Sequence, residues 1–396
     1  MKIGIILVES LPLPPVKGGA VENLVQLIID NNEIQKNGDF IIFSKYDVIA
    51  EHKSNDYSYT KYIYYNPGFI GRSVDFVLKV IRRLLRVLFN VRTPSLYEIK
   101  AYCVLKKAGV KTIVLENCPN YACFLNRKRE FRLIQHLHND YLHELNKQNL
   151  RIIHSTTKFI TVSNFIKNRL RSISPLEVSI ETCYNGIDLG AFSKGIDTDK
   201  LNGLREDLGI QPNDKVLIFT GRLVRNKGVK ELLLAFRSLT DKYENLKILI
   251  VGGVSFSNNN KDEYIAELES VSSTIKGKVI FTGYVDYSCI VQYLKLAAVA
   301  VVPSTCYEAF SLSTLEAMAS GVPVIVSDAG GMLEQVTPQT GIVVQCGKNF
   351  VSDLATAIEE LISDDSRLLE MSKAAKARAQ YFSDKRMYDR FIELVK

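Results

Sequence analysis

Apolar runs alternate with stretches of helical period along nearly the whole chain. In the first half, runs at 2–8, 39–44, 112–116, 132–138, 158–163 and 178–184 predict strands. Helical spacing covers 20–31, 74–90, 95–108, 141–154 and 163–171. The second half repeats the scheme, with strands at 215–220, 246–252, 278–282, 299–303, 323–327 and 340–345. Its helices fall near 228–240, 262–275, 287–297, 312–320, 351–363 and 366–381. Continuous rather than alternating apolar strands, separated by helices, are the mark of parallel sheets covered on both faces. The expected fold class is α/β, two doubly wound Rossmann-like domains facing across a cleft. The polar stretch 187–214, holding Gly190, Gly195, Gly203, Gly209 and Pro212, marks the junction. This predicts domains at 1–190 and 191–380, with 381–396 as a C-terminal helix that packs back on the first.

A length of 396 residues fits two large domains. The chain is 46% hydrophobic and 23% charged, ordinary for a globular protein, which excludes disordered and collagen-like classes. No run is long enough to span a membrane. The opening MKIGIILVES reads as a first strand rather than a signal peptide. Seven Cys without a CxxC pair argue against structural zinc or a disulfide framework and suit a reducing interior. Charge is uneven: residues 1–195 carry 27 Lys and Arg against 17 Asp and Glu, and 196–396 carry 23 against 26. A basic first half points to an anionic partner.

Candidate chemistry lies where strands end. Lys17-Gly18-Gly19-Ala20 sits between the first strand and helix, where glycines let a ligand approach the backbone. It is neither a GxGxxG fingerprint nor a P-loop. Gly221-Arg222-Leu223-Val224-Arg225-Asn226-Lys227-Gly228 occupies the same position in the second half, and its cations suit phosphate oxygens. Glu308-Ala309-Phe310-Ser311-Leu312 leads into a helix carrying Glu316. A loop carboxylate can hold sugar hydroxyls, amides of 310–312 a phosphate, and a helix carboxylate a ribose. In His136-Leu137-His138-Asn139-Asp140, His138 at the strand end is a polar-contact or acid–base candidate and His136 reads as structural. No third ligand stands near the pair in sequence, so no metal site is expected. Asp197-Thr198-Asp199 reads as a surface loop.

The ordered set KGGA, LHND, VSNF, YNGID, GRLVRNKG, YEAFSLSTLEAMASGVPVI and SDAGGMLE resembles the retaining glycosyltransferases of family 4, which have the GT-B fold. The resemblance is strongest from 215 to 345. It implies a nucleotide-sugar donor, UDP being the commonest, and a hexose or N-acetylhexosamine passed to a glycan or polyprenyl-diphosphate-linked acceptor. By matched position Arg222 and Lys227 bind the diphosphate, Glu308 faces the sugar and Glu316 holds the ribose. Gly18 and Gly19 approach the phosphates, Phe310, Ser311 and Leu312 form the backbone cradle, and His138 contacts the sugar. Ala309 and Ser311 stand where family members often have Gly. The resemblance implies no cofactor beyond the co-substrate and no metal. Two other readings share the fold: a non-catalytic GT-B partner subunit and a nucleotide-sugar 2-epimerase.

Residues 72–91 place Arg72, Asp75, Lys79, Arg82, Arg83, Arg86 and Asn90 within one arc of the helical wheel, the rest being almost wholly apolar. Such a helix is either packed into the core or lies on an anionic membrane with Arg82, Arg83 and Arg86 toward headgroups or acceptor. The basic first half favours the membrane, and hence a cytoplasmic, peripheral protein at the inner membrane face. No nucleic acid is expected as a partner.

Overall fold

The computed structural model describes residues 2–89, 92–174, 178–193, 195–253, 263–275 and 277–396. The chain divides into two compact units, Met1–Tyr184 with Met387–Lys396, and Asn185–Arg386. The first division thus falls at 184/185, where the polar pattern had placed it after 190.

The first unit is built on seven parallel strands: β1 (Lys2–Ile6), β2 (Asp39–Lys45), β3 (Lys61–Tyr65), β4 (Thr112–Glu116), β5 (Arg132–Leu137), β6 (Lys158–Thr161) and β7 (Ser179–Thr182). Their order is β3-β2-β1-β4-β5-β6-β7. The central strands are buried on both faces, as KIGII and TIVLE require. The Tyr-rich edge strand β3 escaped the apolar pattern because it is only half-buried. The unit is closed by the Asp384–Val395 helix, from which Tyr388 donates to Asn32 Oδ1 at 2.8 Å. Arg132 donates to the carbonyls of Val395 and Lys396 at 2.7 and 2.9 Å.

The Gly68–Phe89 helix of this unit settles one alternative: its apolar arc is not core. Phe76, Val77, Leu84, Val87 and Leu88 are exposed, Phe76 at 69%. Arg83 is exposed and Arg82 half-buried, while the side chains of Arg72 and Arg86, and Asn90, lie outside the described residues. The expected helix 141–154 begins only at Lys147, because Asn146 accepts from the amide of Asn149 and caps it there.

The second unit holds six parallel strands: β8 (Lys215–Thr220), β9 (Leu246–Val251), β10 (Val279–Gly283), β11 (Val299–Val302), β12 (Val324–Ser327) and β13 (Gly341–Val344). They run in the order β10-β9-β8-β11-β12-β13. Leu217, Phe219, Val229, Leu233, Ile248, Ile250 and Ile358 belong to its core. The Asp197–Asp199 pair is not a loop: Asp197 caps the Thr198–Asp207 helix and accepts from the amide of Asp199. Each unit is thus a Rossmann-like parallel sheet. Among the described residues, no helix is long and apolar enough to cross a membrane.

Candidate active site

Within the second unit, β8 and β11 are neighbours, so the loops that follow them lie side by side. After β8 the chain turns through Gly221 and a short 3-10 turn, Arg225–Lys227, into the Val229–Arg237 helix. Gly228 has φ of +70°, and a Cβ there would sit 1.9 Å from the Pro303 carbonyl. This approach carries Lys227 to the loop after β11, where its Nζ lies 2.5 Å from Glu308 Oε1. The same oxygen accepts from Ser304 Oγ at 2.6 Å. Thr305 closes the seam by donating to the Asn226 carbonyl at 3.0 Å. Two residues 81 apart are thereby paired, a cation beside a carboxylate.

Arg225 belongs elsewhere. It pairs with Glu267 at 2.5 Å and lies 5.0 Å over the Tyr264 ring. Of the three cations of this stretch, Arg225 is thus turned toward the Glu263–Ser273 helix and Lys227 toward Glu308.

Glu308 is pinned through its backbone to the segment after β12: Gly331 donates to its carbonyl at 2.8 Å. Ser311 then caps the Leu312–Ala319 helix, its Oγ accepting from Thr314 at 3.2 Å. Gln335, which sequence reading missed, grips the Ser311 backbone at both ends: Oε1 accepts from its amide at 3.2 Å and Nε2 donates to its carbonyl at 2.8 Å. The Ser311 amide is therefore engaged, and the phosphate-cradle reading rests on the backbone of Phe310 and Leu312. Phe310 packs edge-on against Phe382 with centroids 5.5 Å apart.

Glu316 is buried, not a surface residue. Burial pushes its carboxyl up to about 7, and a hydrogen bond from Tyr287 partly offsets this. A carboxyl near its midpoint at neutral pH, enclosed in an apolar helix face, is costly to keep without a ligand.

In the first unit Gly18 and Gly19 lie at the start of the Ala20–Gln35 helix with φ of +72° and +115°. A Cβ on Gly19 would fall 2.1 Å from Glu22 Oε2, so the turn needs glycine to let that carboxylate fold beneath it. Lys17 pairs with Asp47 at 2.6 Å.

His138 is enclosed rather than open at the strand end. Its Nε2 lies 2.9 Å from Glu116 Oε2. His136 Nδ1 also lies 2.9 Å from that oxygen, but without the alignment of a hydrogen bond. The expectation that no third ligand-type residue stands by the histidines is corrected, because β4 supplies one in register: Glu116 pairs with His136. Among the described residues these three offer ligand atoms within 4.8 Å of one another. Burial pushes the Glu116 carboxyl up, but the two imidazoles more than offset it and hold it at about 2. Burial, then His136, lowers His138 to about 4, against the pull of Glu116.

The chain resembles known proteins in sequence and in fold. Residues 202–378 match the profile of the family described as glycosyl transferases group 1. An uncharacterized glycosyltransferase of Methanocaldococcus jannaschii is 30% identical over 53% of this chain and 52% of its own length. A GDP-mannose-dependent monoacylated alpha-(1-6)-phosphatidylinositol monomannoside mannosyltransferase of Corynebacterium glutamicum is 28% identical over 59% of this chain and 60% of its own. This chain thus spans little more than half the length of either. The crystal structure of HepE from Anabaena in complex with UDP superposes with a TM-score of 0.76 at 19% identity, covering 100% of this chain and 99% of that one. The fold is therefore GT-B, and the matched segment is similar to glycosyl transferases group 1.

Proposed function

We propose that the chain is a retaining glycosyltransferase of the family 4 type. It moves a hexose or N-acetylhexosamine from a UDP-linked donor to a hydroxyl of a glycan or polyprenyl-diphosphate-linked acceptor, in cell-surface polysaccharide or glycoconjugate synthesis. The observation that carries this reading is the Lys227–Glu308 pair, set between two strand ends beside the Gln335-braced start of the Glu316 helix. Arg222 and Lys227 meet the diphosphate, Glu308 the sugar and Glu316 the ribose. UDP is favoured because HepE, of the same fold, was solved with it.

In this reaction the bond from the anomeric carbon to the diphosphate oxygen breaks. The acceptor oxygen bonds that carbon on the same face, and its proton passes to the departing phosphate. Charge grows on the leaving group, and preorganised cations lower the barrier without a metal. Retention elsewhere often uses a second carboxylate as nucleophile; the resemblance to family 4 favours same-face attack instead. The resemblance gives His138 a sugar contact as well; in this structure its ring is enclosed, with Nε2 2.9 Å from Glu116 Oε2. The exposed apolar arc and cationic stripe of the Gly68–Phe89 helix support attachment to an anionic membrane, at its cytoplasmic face.

Release of UDP from UDP-sugars, with and without an acceptor lipid extract, tests the assignment. Glu308→Ala and Lys227→Ala are each expected to cut turnover by about 10²–10³ with folding retained. Wild-type rates in both would refute it. Sugar inversion at C2 without transfer would identify the epimerase instead.

A further inference from the structure

Two cavities of the first unit meet at one residue. The first, of about 460 Å³, lies beyond the C-terminal ends of β1 and β4, the ligand side of an open parallel sheet. Its lining is rich in amides: Asn117, Asn120, Asn146, Gln148 and Asn149, with Tyr121 and Tyr141. Amides carry a donor and an acceptor on one group, the complement of sugar hydroxyls, and no lysine or arginine lines this cavity. Gln148 and Asn120 bond each other at 2.6 Å, so the amides are already set in orientation.

The second cavity, of about 610 Å³, is of opposite character. Lys79, Arg82 and Arg83 enter it at i, i+3 and i+4 from one face of the Gly68–Phe89 helix, and Arg92 from the segment that follows. Its acids are Glu9 and Glu98. Glu98 is already committed, to Arg92 at 3.1 Å and to the amide of Ser95 at 3.2 Å. Asp75 is held by the Tyr65 hydroxyl at 2.6 Å. Lys79, Arg82 and Arg83 thus stand against the carboxylates of Glu9 and Asp75, on a helix whose Phe76 and Val80 form the cavity's apolar edge. Both volumes fall in the range of small-molecule sites, roughly 300–1,000 Å³.

Tyr121 lines both cavities, with the Arg92 guanidinium 6.0 Å over its ring. We propose that the two form one acceptor site, in which the amide cavity holds the acceptor sugar and the cationic cavity its phosphate or diphosphate ester. This deepens the transferase reading and rests on it: the acceptor is a glycosyl phosphate, not a neutral glycan. The apolar edge continues into the exposed arc of the helix, which suits a lipid on that phosphate.

The test uses the full chain carrying Arg222→Ala and Lys227→Ala, so that the donor loop does not contribute, and inorganic pyrophosphate as probe in calorimetry. Binding is expected, weakened about ten-fold or more by Arg82→Gln with Arg83→Gln, as loss of charge-assisted bonds requires. Arg83 is exposed and Arg82 half-buried, with Nη1 donating to the Pro94 carbonyl at 3.3 Å, and an unchanged melting temperature checks that the variant folds. Absence of binding, or equal affinity in the variant, overturns the proposal. Displacement of pyrophosphate by N-acetylglucosamine 1-phosphate and glucose 1-phosphate supports it with a soluble source. Displacement only by the same sugars on farnesyl diphosphate supports it with a lipid source. In the otherwise wild-type chain, Asn120→Ala with Gln148→Ala is expected to raise the acceptor-extract KM more than it lowers kcat. Donor-dependent UDP release in the wild type is measured alongside, so failure here with release intact rejects this site and not the transferase.

Discussion

Replacing Glu316 by Gln is expected to stabilise the second unit while impairing turnover, and the gain depends on pH in one direction. Folding encloses this carboxyl and raises it from 4.5 to about 7. An acid raised by folding costs nothing below its unfolded value, because both states are then protonated. The cost enters as pH climbs above 4.5, grows until about 7 and is constant beyond. That interval, at about 1.4 kcal/mol per pH unit, amounts to about 3 kcal/mol. Gln keeps the shape and an oxygen for Tyr287 but does not ionise. At about pH 8 Glu316→Gln should therefore exceed the wild type by up to about 3 kcal/mol, which for a unit of this size is roughly 6–12 °C. At about pH 4 the two should coincide. Scanning calorimetry across this range reads the difference, with the transition of the first unit as internal reference. A difference independent of pH, or a variant less stable at pH 8, would refute the reasoning. The activity arm is a raised KM for donor, since a group that folding disfavours is retained where a ligand rewards it.

Three further outcomes follow from the same geometry. Gly228→Ala forces a side chain against the Pro303 carbonyl at a positive φ, so it should destabilise by more than about 1 kcal/mol and weaken donor binding together; thermal shift with and without UDP measures both. If loop cations take the diphosphate as proposed, turnover should survive EDTA; loss restored by Zn²⁺ or Mn²⁺ would instead direct attention to Glu116, His136 and His138. Vesicle flotation should recover the wild type with anionic but not neutral vesicles, and Arg82→Glu/Arg83→Glu/Arg86→Glu should abolish recovery, each basic residue contributing about 1 kcal/mol near such a surface. Equal recovery of both proteins would detach the helix from the membrane.

The sequence alone determined the two parallel sheets, because strands buried on both faces must read as unbroken apolar runs. It also marked Lys227 and Glu308 as candidates, because each follows a strand end closely in sequence, and the structure pairs these two at 2.5 Å. Tertiary structure decided everything that depends on which strand lies beside which. Glu116 is twenty residues from His136 yet directly opposite it, since β4 and β5 pair in register. Gln335 braces Ser311 from 24 residues away: it directly follows the SDAGGMLE run, but nothing in that run says which loop it meets. Arg225, chemically equal to Arg222 in the sequence, is diverted by Glu267 on a helix that spacing does not reveal as its neighbour. The wheel of the Gly68–Phe89 helix was plain, but its burial was not: periodicity says that an apolar face exists, and only the packing of the rest of the unit says whether anything covers it.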